Sequence, residues 1–111
     1  MNKKEFKIPG DQIQNLIPKT GGAYATDHIT VEGRKIGYMY REDPEKDWDS
    51  GWRFFSGEED QDYVDDPSNL AIYEVNTIAN YDLAIIPYLD TPAPCAFERI
   101  RGTDEFRIID L

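Results

Sequence analysis

The chain has 111 residues, of which 22 are acidic and 12 are lysine or arginine, and its formal net charge is −10. This length fits one domain, and the apolar fraction of 40% is enough to build a hydrophobic core. The negative charge argues against nucleic acids and anionic membranes as partners, because both attract cationic surfaces. It favours a basic protein partner.

The sequence also bears on the compartment. No apolar run approaches the ~20 residues that a transmembrane helix needs. Lysines near the N-terminus resemble the start of a signal peptide, but Pro9, Gly10 and Asp11 interrupt the apolar stretch that should follow. Cys95 is the only cysteine, so an intramolecular disulfide is excluded, as is common in a reducing compartment. We expect a cytoplasmic protein without membrane contacts.

The first predicted element is a short helix at residues 11–17, where the apolar residues from Ile13 to Ile17 share one helical face. Pro18 would end this helix. The helix would belong to an N-terminal extension that covers residues 1–21.

Two predicted strands follow, at residues 24–31 and 35–41. The tight turn around Gly33 predicts that they form a hairpin. In the second strand, Tyr38 and Tyr40 alternate with glycine and methionine, which indicates one side covered by the core and one more open side.

Two acidic segments, residues 42–50 and 58–69, flank a predicted central strand at residues 51–56. Between residues 42 and 66, eleven acidic residues stand against two basic ones, which gives a formal charge of −9. Most of the net charge therefore lies in the middle of the chain. If both segments lie at one edge of the sheet, they form a negative surface with an aromatic centre.

The sequence of the C-terminal half predicts short helices and strands. Residues 70–81 fit both a strand and a helix, and residues 83–89 predict a helical turn. Residues 95–100 and 105–109 predict a closing pair of strands. About five strands and two or three short helices, without βαβ alternation, indicate a single α+β domain over residues 1–111 with a mainly antiparallel sheet.

The sequence shows no recognisable catalytic motif. A Cys95–His28 pair stays open, because such pairs form in space, but a lone cysteine is usually a buried apolar residue. The chain lacks a nucleophile elbow and a phosphate-binding loop. We therefore predict no catalytic residues and no enzyme activity.

Metal sites are not predicted either. Structural zinc needs about four cysteine or histidine ligands, and the chain has only two such residues. The aspartates between Asp60 and Asp66 could bind calcium, but their spacing does not fit the EF-hand loop. We predict neither a metal nor a cofactor.

Recognition of a protein partner remains as the expected activity. Carboxylates can steer a basic partner, and an aromatic side chain can anchor it. Trp48 lies between two aspartates and is the better exposed anchor, whereas Trp52 is expected in the core. The oligomeric state is left open between monomer and homodimer. The predicted partner-binding residues are Trp48, Asp49, Glu58, Glu59, Asp60 and Asp62.

Two sequence runs carry a family resemblance: DSGWRFFSGEE at residues 49–59 and YEVNTIANYD at residues 73–82. They resemble a family of small bacterial proteins, long described only as a domain of unknown function, that is grouped with the immunity proteins of polymorphic toxin systems (the immunity protein 33 group). The resemblance covers roughly residues 22–100. It implies an α+β domain that neutralises a toxin without catalytic residues. Residues 94–95 are Pro-Cys where the family often has Gly-Ser, so no serine function carries over there.

The polar residues of these runs support an alternative, a small-ligand or enzyme-like pocket. The same asparagines also fit helix capping and turn formation, because Asn bonds readily to nearby backbone. A ligand site predicts that the side chains converge, whereas capping predicts that they are satisfied locally. The alternative pocket residues are Arg53, Asn76, Asn80, Tyr81 and Glu98.

Overall fold

The computed structural model describes residues 4–110 of the chain. Within this range the α+β prediction is confirmed, with six strands instead of about five. The strands are β1 (Gly22–Thr26), β2 (Tyr38–Arg41), β3 (Asp49–Phe55), β4 (Leu70–Glu74), β5 (Cys95–Arg99) and β6 (Phe106–Ile109). The helices are α1 (Asp27–Thr30), α2 (Gln61–Asp65) and α3 (Val75–Tyr81), with 3₁₀ turns at Gly10–Gln12, Pro67–Asn69 and Leu83–Tyr88.

The strands form one sheet in the order β4-β1-β3-β2-β5-β6. The pair β1 and β3 is parallel, and the other four neighbouring pairs are antiparallel. A parallel pair needs a crossover connection, which α1 and β2 supply here. Strands β4 and β6 are the edges of this sheet.

One side of the sheet carries the hydrophobic core. Trp52 and Phe54 of β3 are fully buried, and Met39 and Phe97 continue this layer on β2 and β5. The helices α1 and α3 contribute buried apolar residues such as Ile78 to the same cluster. Burying one side chain of this size stabilises the fold by about 1.5–3 kcal/mol, so this layer accounts for much of the stability.

The other side of the sheet is partly accessible to solvent. Tyr24, Tyr38, Tyr40, Arg53 and Phe55 are paired across β1, β3 and β2 and alternate with the core residues, so they share this side. Arg53 is buried and the four aromatic residues are half-buried. We call this side of the sheet the open face. It confirms the prediction that β2 has one covered and one more open side.

The predicted hairpin between residues 24–31 and 35–41 is wrong. Strand β1 ends at Thr26, α1 follows, and β3 lies between β1 and β2 in the sheet. Gly33 has a φ of 75° and its N–H donates to the carbonyl of Ile29 at the end of α1. A glycine with positive φ serves helix ends as well as hairpin turns, and here it ends a helix.

The predicted helix at residues 11–17 is also wrong. The structure has only the 3₁₀ turn Gly10–Gln12 there, and the chain then continues without helix. Ile13 and Ile17 are half-buried, so the apolar spacing reflects packing of an irregular segment. Tertiary contacts with α3, described below, replace the hydrogen bonds of a helix.

Other predictions are confirmed with shifted boundaries. The strands at residues 51–56, 95–100 and 105–109 correspond to β3, β5 and β6, and residues 83–89 contain a 3₁₀ turn. Residues 70–81, which fit both a strand and a helix, contain one of each, because β4 leads directly into α3. The second acidic segment is more regular than predicted, since it contains α2 and the 3₁₀ turn Pro67–Asn69.

Candidate functional site

The two acidic segments meet opposite ends of β3. Residues 42–48 of the first segment lead into this strand, the last two residues of that segment begin it, and the second segment, residues 58–69, follows it. At about 3.3 Å per residue, the seven residues of β3 extend over about 20 Å, so the two segments lie mostly at different ends of the strand. They therefore do not form a patch at one edge of the sheet. Each borders one end of the open face instead, as the clefts at both ends show.

Aromatic rings form the middle of the open face. The ring centroids of Tyr38 and Tyr40 lie 5.7 and 5.9 Å from that of Phe55. The guanidinium carbon of Arg53 lies 4.9 Å from the ring centroid of Tyr24, in a cation–π contact. Aromatic faces accept both apolar and cationic groups. The open face can therefore hold an apolar or a positively charged side chain.

Arg53 forms an ion network at the end of the open face where the parallel strands β1 and β3 begin. Its guanidinium donates two bonds of 2.9 Å to Asp49 and one of 2.9 Å to Glu42. The hydrogen bonds from Arg53 hold the pKa of Asp49 below its ordinary value. The bonds to Asp49 raise the pKa of Arg53, which therefore stays charged. One cation against two carboxylates leaves this network with a net negative charge.

Trp48 projects from the first acidic segment over β1. Its ring lies against Gly22, where a Cβ atom would come within 2.8 Å of a ring carbon. The side chain of Ile72 on β4 flanks the same glycine. Trp48 remains 41% exposed and Ile72 remains 51% exposed. These two side chains line a groove of about 760 Å³, whose margin also carries Asp47 and Glu74.

Glu59 organises the opposite end of the open face. Its carboxylate accepts bonds from Thr26 Oγ1 at 2.5 Å and from the backbone N–H groups of Ser56 and Gly57 at 2.8 and 2.9 Å. Burial alone would raise the pKa of Glu59, but these hydrogen bonds outweigh it and the pKa lies below its ordinary value. Glu59 is therefore an ionised, buried carboxylate that fixes the start of the second acidic segment.

His28 connects α1 to this segment. Its Nδ1 lies 2.8 Å from Ser56 Oγ, and its ring lies 4.5 Å from the ring of Tyr63 on α2. Burial, followed by the carboxylates of Asp27 and Glu32, raises the pKa of Tyr63 to about 12. Tyr63 is thus a neutral packing partner, and the contact holds α2 against α1.

The six predicted partner-binding residues divide into two groups. Asp49 and Glu59 have side-chain exposures of 6% and 2% and are occupied by the internal bonds described above. Asp60 also caps α2, because it accepts a 2.8 Å bond from the Tyr63 N–H. Four of the predicted residues are solvent-exposed: Trp48, Glu58, Asp60 and Asp62.

The five residues of the alternative pocket do not converge. Arg53 lies on the open face within its ion network, and Glu98 accepts a bond of 2.7 Å from Arg107 of the neighbouring strand β6. The other three residues lie on α3, which packs on the core side of the sheet: Asn76, Asn80 and Tyr81. No small-ligand pocket is therefore assembled from this set.

The asparagines of α3 bind the backbone of the N-terminal extension. Asn76 accepts bonds from the N–H groups of Leu16 and Ile17 and donates to the carbonyl of Gln14. Asn80 accepts from the Gln14 N–H at 2.9 Å and donates to the same residue's carbonyl at 3.0 Å. The polar positions of the second sequence run thus hold residues 14–17 onto α3, which is neither a ligand site nor a helix cap.

His28 and Cys95 lie at different ends of the sheet. His28 contacts Ser56 beyond the end of β3, whereas Cys95 is buried at the start of β5, in register with Arg41. The Cys95–His28 pair that the sequence left open is therefore not formed. Within residues 4–110, no group of three or more His, Cys, Asp or Glu side chains is arranged to hold a metal ion. No helix in this range is long and apolar enough to cross a membrane.

Sequence reasoning missed the groove between Trp48 and Ile72. The two residues become neighbours because β1 pairs with β4 and because Gly22 leaves room for the Trp48 ring. Neither contact has a local sequence signal.

Comparison with known proteins identifies one family. The model of the Immunity protein Imm33 domain matches residues 23–110, which is most of the chain. Neither a curated protein nor a solved structure shows a significant match.

Proposed function

Because the chain belongs to the Imm33 immunity protein family, we propose that it is a non-enzymatic protein that binds and neutralises a toxin. The partner would be a basic toxin domain, and binding would use the acidic segments and the open face between them. The proposal rests above all on one observation: an aromatic sheet face is bordered at both ends by acidic segments.

Electrostatics supports a basic partner. Residues 42–66 carry a formal charge of −9, and the exposed side chains of Glu58, Asp60 and Asp62 contribute to it. A surface of one sign raises the association rate with an oppositely charged protein by about 10–10³-fold, and salt weakens this effect. A toxin domain that acts on nucleic acids or anionic membranes would carry a cationic surface. An acidic inhibitor is complementary to such a surface.

The exposed aromatic residue supplies an anchor. Interface hot spots are enriched in tryptophan and lie in well-packed centres surrounded by polar groups. Trp48 is exposed and is flanked by carboxylates of the first acidic segment. We infer that Trp48 contributes contact area while the surrounding carboxylates contribute steering and specificity.

The functional test is co-expression. A toxin domain encoded beside the gene of this chain is expressed in a sensitive host with and without the chain. The proposal predicts that growth is restored and that the two proteins copurify as a complex. Continued growth arrest, together with no complex by isothermal titration calorimetry, would contradict it. The purified chain should also leave the toxin's substrate unchanged when the toxin is absent.

A further inference from the structure

Strand β4 has an unoccupied outer edge in the described part of the chain. It is the first strand of the sheet and pairs only with β1. Among residues 4–110, the backbone of Ala71, Ile72 and Tyr73 makes no hydrogen bond outside the ladder with β1. An exposed edge of this kind is a template for an added strand.

A side-chain groove runs beside this edge. Trp48 and Ile72 form its apolar walls, and Gly22 lies between them. The groove volume of about 760 Å³ is large enough for more than one side chain. An added strand would place every second side chain on the same side as Ile72 and hence over this groove.

The charges at the groove favour a cationic occupant. Asp47 and Glu74 line it against one cation, Lys19, and the first acidic segment adjoins it. A second copy of this chain would also bring a formal charge of −10, so the electrostatic repulsion disfavours self-association here.

The opposite edge of the sheet differs in its chemistry. On β6, Ile108 is 68% exposed, but the neighbouring side chain is the cationic Arg107. The two edges therefore offer a matched comparison, with an exposed isoleucine on each, of which only Ile72 lines a groove together with an exposed tryptophan.

We propose that β4 accepts an extended cationic segment of the toxin as a seventh strand of the sheet. One apolar side chain of that segment packs against the exposed surfaces of Ile72 and Trp48, and a basic side chain two residues away pairs with Glu74 or Asp47. Backbone hydrogen bonds to β4 provide affinity, and the alternating side chains provide specificity. This inference rests on the proposed function and specifies how the toxin is bound.

The test uses the complex with the toxin domain and two matched variants. Amide hydrogen exchange of the full chain, measured by NMR with and without the toxin domain, should show slower exchange for the outward amides of Ile72 and Glu74 in the complex. Ile72→Lys should weaken binding at least about tenfold, as expected for an interface centre. Ile108→Lys should leave the affinity within about twofold. Circular dichroism confirms that both variants fold.

The possible outcomes separate the two proposals. A toxin that binds while the β4 amides stay unprotected, or that binds Ile72→Lys as tightly as the wild type, would overturn this inference and leave the proposed function in place. Slow exchange of the same amides in a concentrated sample of the free chain, with a dimer in sedimentation, would assign the edge to a second copy and also overturn it. A toxin that neither binds nor is neutralised would overturn both proposals.

Discussion

Asp49 accepts two hydrogen bonds of 2.9 Å from Arg53, four residues further along the same strand. This bidentate ion pair is mostly buried. Both residues belong to β3, and their side chains can meet because a β-bulge lies between them. The bulge is centred on Gly51, which has a φ of 89° and whose N–H donates to Asp49. A Cβ atom at Gly51 would come within 2.1 Å of the Glu42 carbonyl oxygen.

Removing Arg53 should destabilise the domain strongly. Arg53→Met leaves the buried Asp49 carboxylate without its cation, and breaking a buried pair in this way costs about 3 kcal/mol of unfolding free energy. Arg107→Met breaks an exposed pair with Glu98 and should cost about 1 kcal/mol or less. Urea denaturation measures both values. Equal losses for the two variants would show that the Arg53 network does not stabilise the fold.

The pH dependence of stability should follow Asp49 and Glu59. The pKa of each is lower in the folded chain than its ordinary value, so the folded state favours the ionised form. Their stabilising contribution is complete above the ordinary carboxyl range near pH 4 and is lost as the pH falls through the lower folded pKa values. Denaturation curves between pH 7 and pH 2.5 should therefore show a plateau followed by a decline.

Glu59→Gln tests the contribution of one carboxylate to this decline. The variant should have a lower plateau, because an amide cannot accept all three bonds from Thr26, Ser56 and Gly57. It should also lose less stability on acidification. Glu105→Gln changes an exposed residue in the turn before β6 and serves as the control. A Glu59→Gln curve parallel to the wild type would contradict this assignment.

The asparagines of α3 should control the order of the N-terminal extension. Replacing Asn76 and Asn80 by alanine removes the bonds to the backbone of residues 14–17. Each lost bond is worth about 1 kcal/mol, so the segment should detach locally while the sheet remains folded. Limited proteolysis should cut the double variant in this segment faster than Asn15→Ala, which alters an exposed asparagine of the same segment. Equal cleavage rates would refute the role of the two side chains.

Gly22 should determine the position of Trp48. Gly22→Ala places a Cβ atom 2.8 Å from a ring carbon of Trp48, so the ring must move outward. Because Trp52 is fully buried, a rise in acrylamide quenching of the fluorescence reports mainly on Trp48. Gly10→Ala is the control, since a Cβ there meets no atom within 4 Å. Unchanged quenching in Gly22→Ala would mean that the ring does not rest on β1.

Local patterns were sufficient for part of the fold. Strand β3 and the closing pair β5 and β6 have aromatic and β-branched residues bounded by turns, and the structure agrees within a few residues. The hairpin around Gly33 was mispredicted because a residue with positive φ occurs both in hairpin turns and at helix ends. Only the pairing partner of β1 in the sheet distinguishes the two structures. The extension was mispredicted because its backbone is satisfied by side chains far away in the sequence.

The candidate site was less predictable than the fold. The excess of carboxylates was visible in the sequence, but not which of them are occupied internally. Asp49 depends on the bulge that brings Arg53 to it, and Glu59 depends on Thr26 of another strand. Composition and spacing do not encode these contacts of Asp49 and Glu59. The position of the two acidic segments at opposite ends of β3, in contrast, follows from chain order, because one segment precedes this strand and the other follows it.

The most direct test of the proposed function is the association rate with the toxin domain as a function of salt. Stopped-flow mixing would compare the wild type with the double variant Glu58→Lys and Asp62→Lys, and with Glu105→Lys as the control. We expect the wild-type rate to fall as salt increases, the double variant to associate about tenfold more slowly at low salt, and the control to change little. Rates that do not depend on salt and are equal for all three proteins would contradict recognition through the acidic segments.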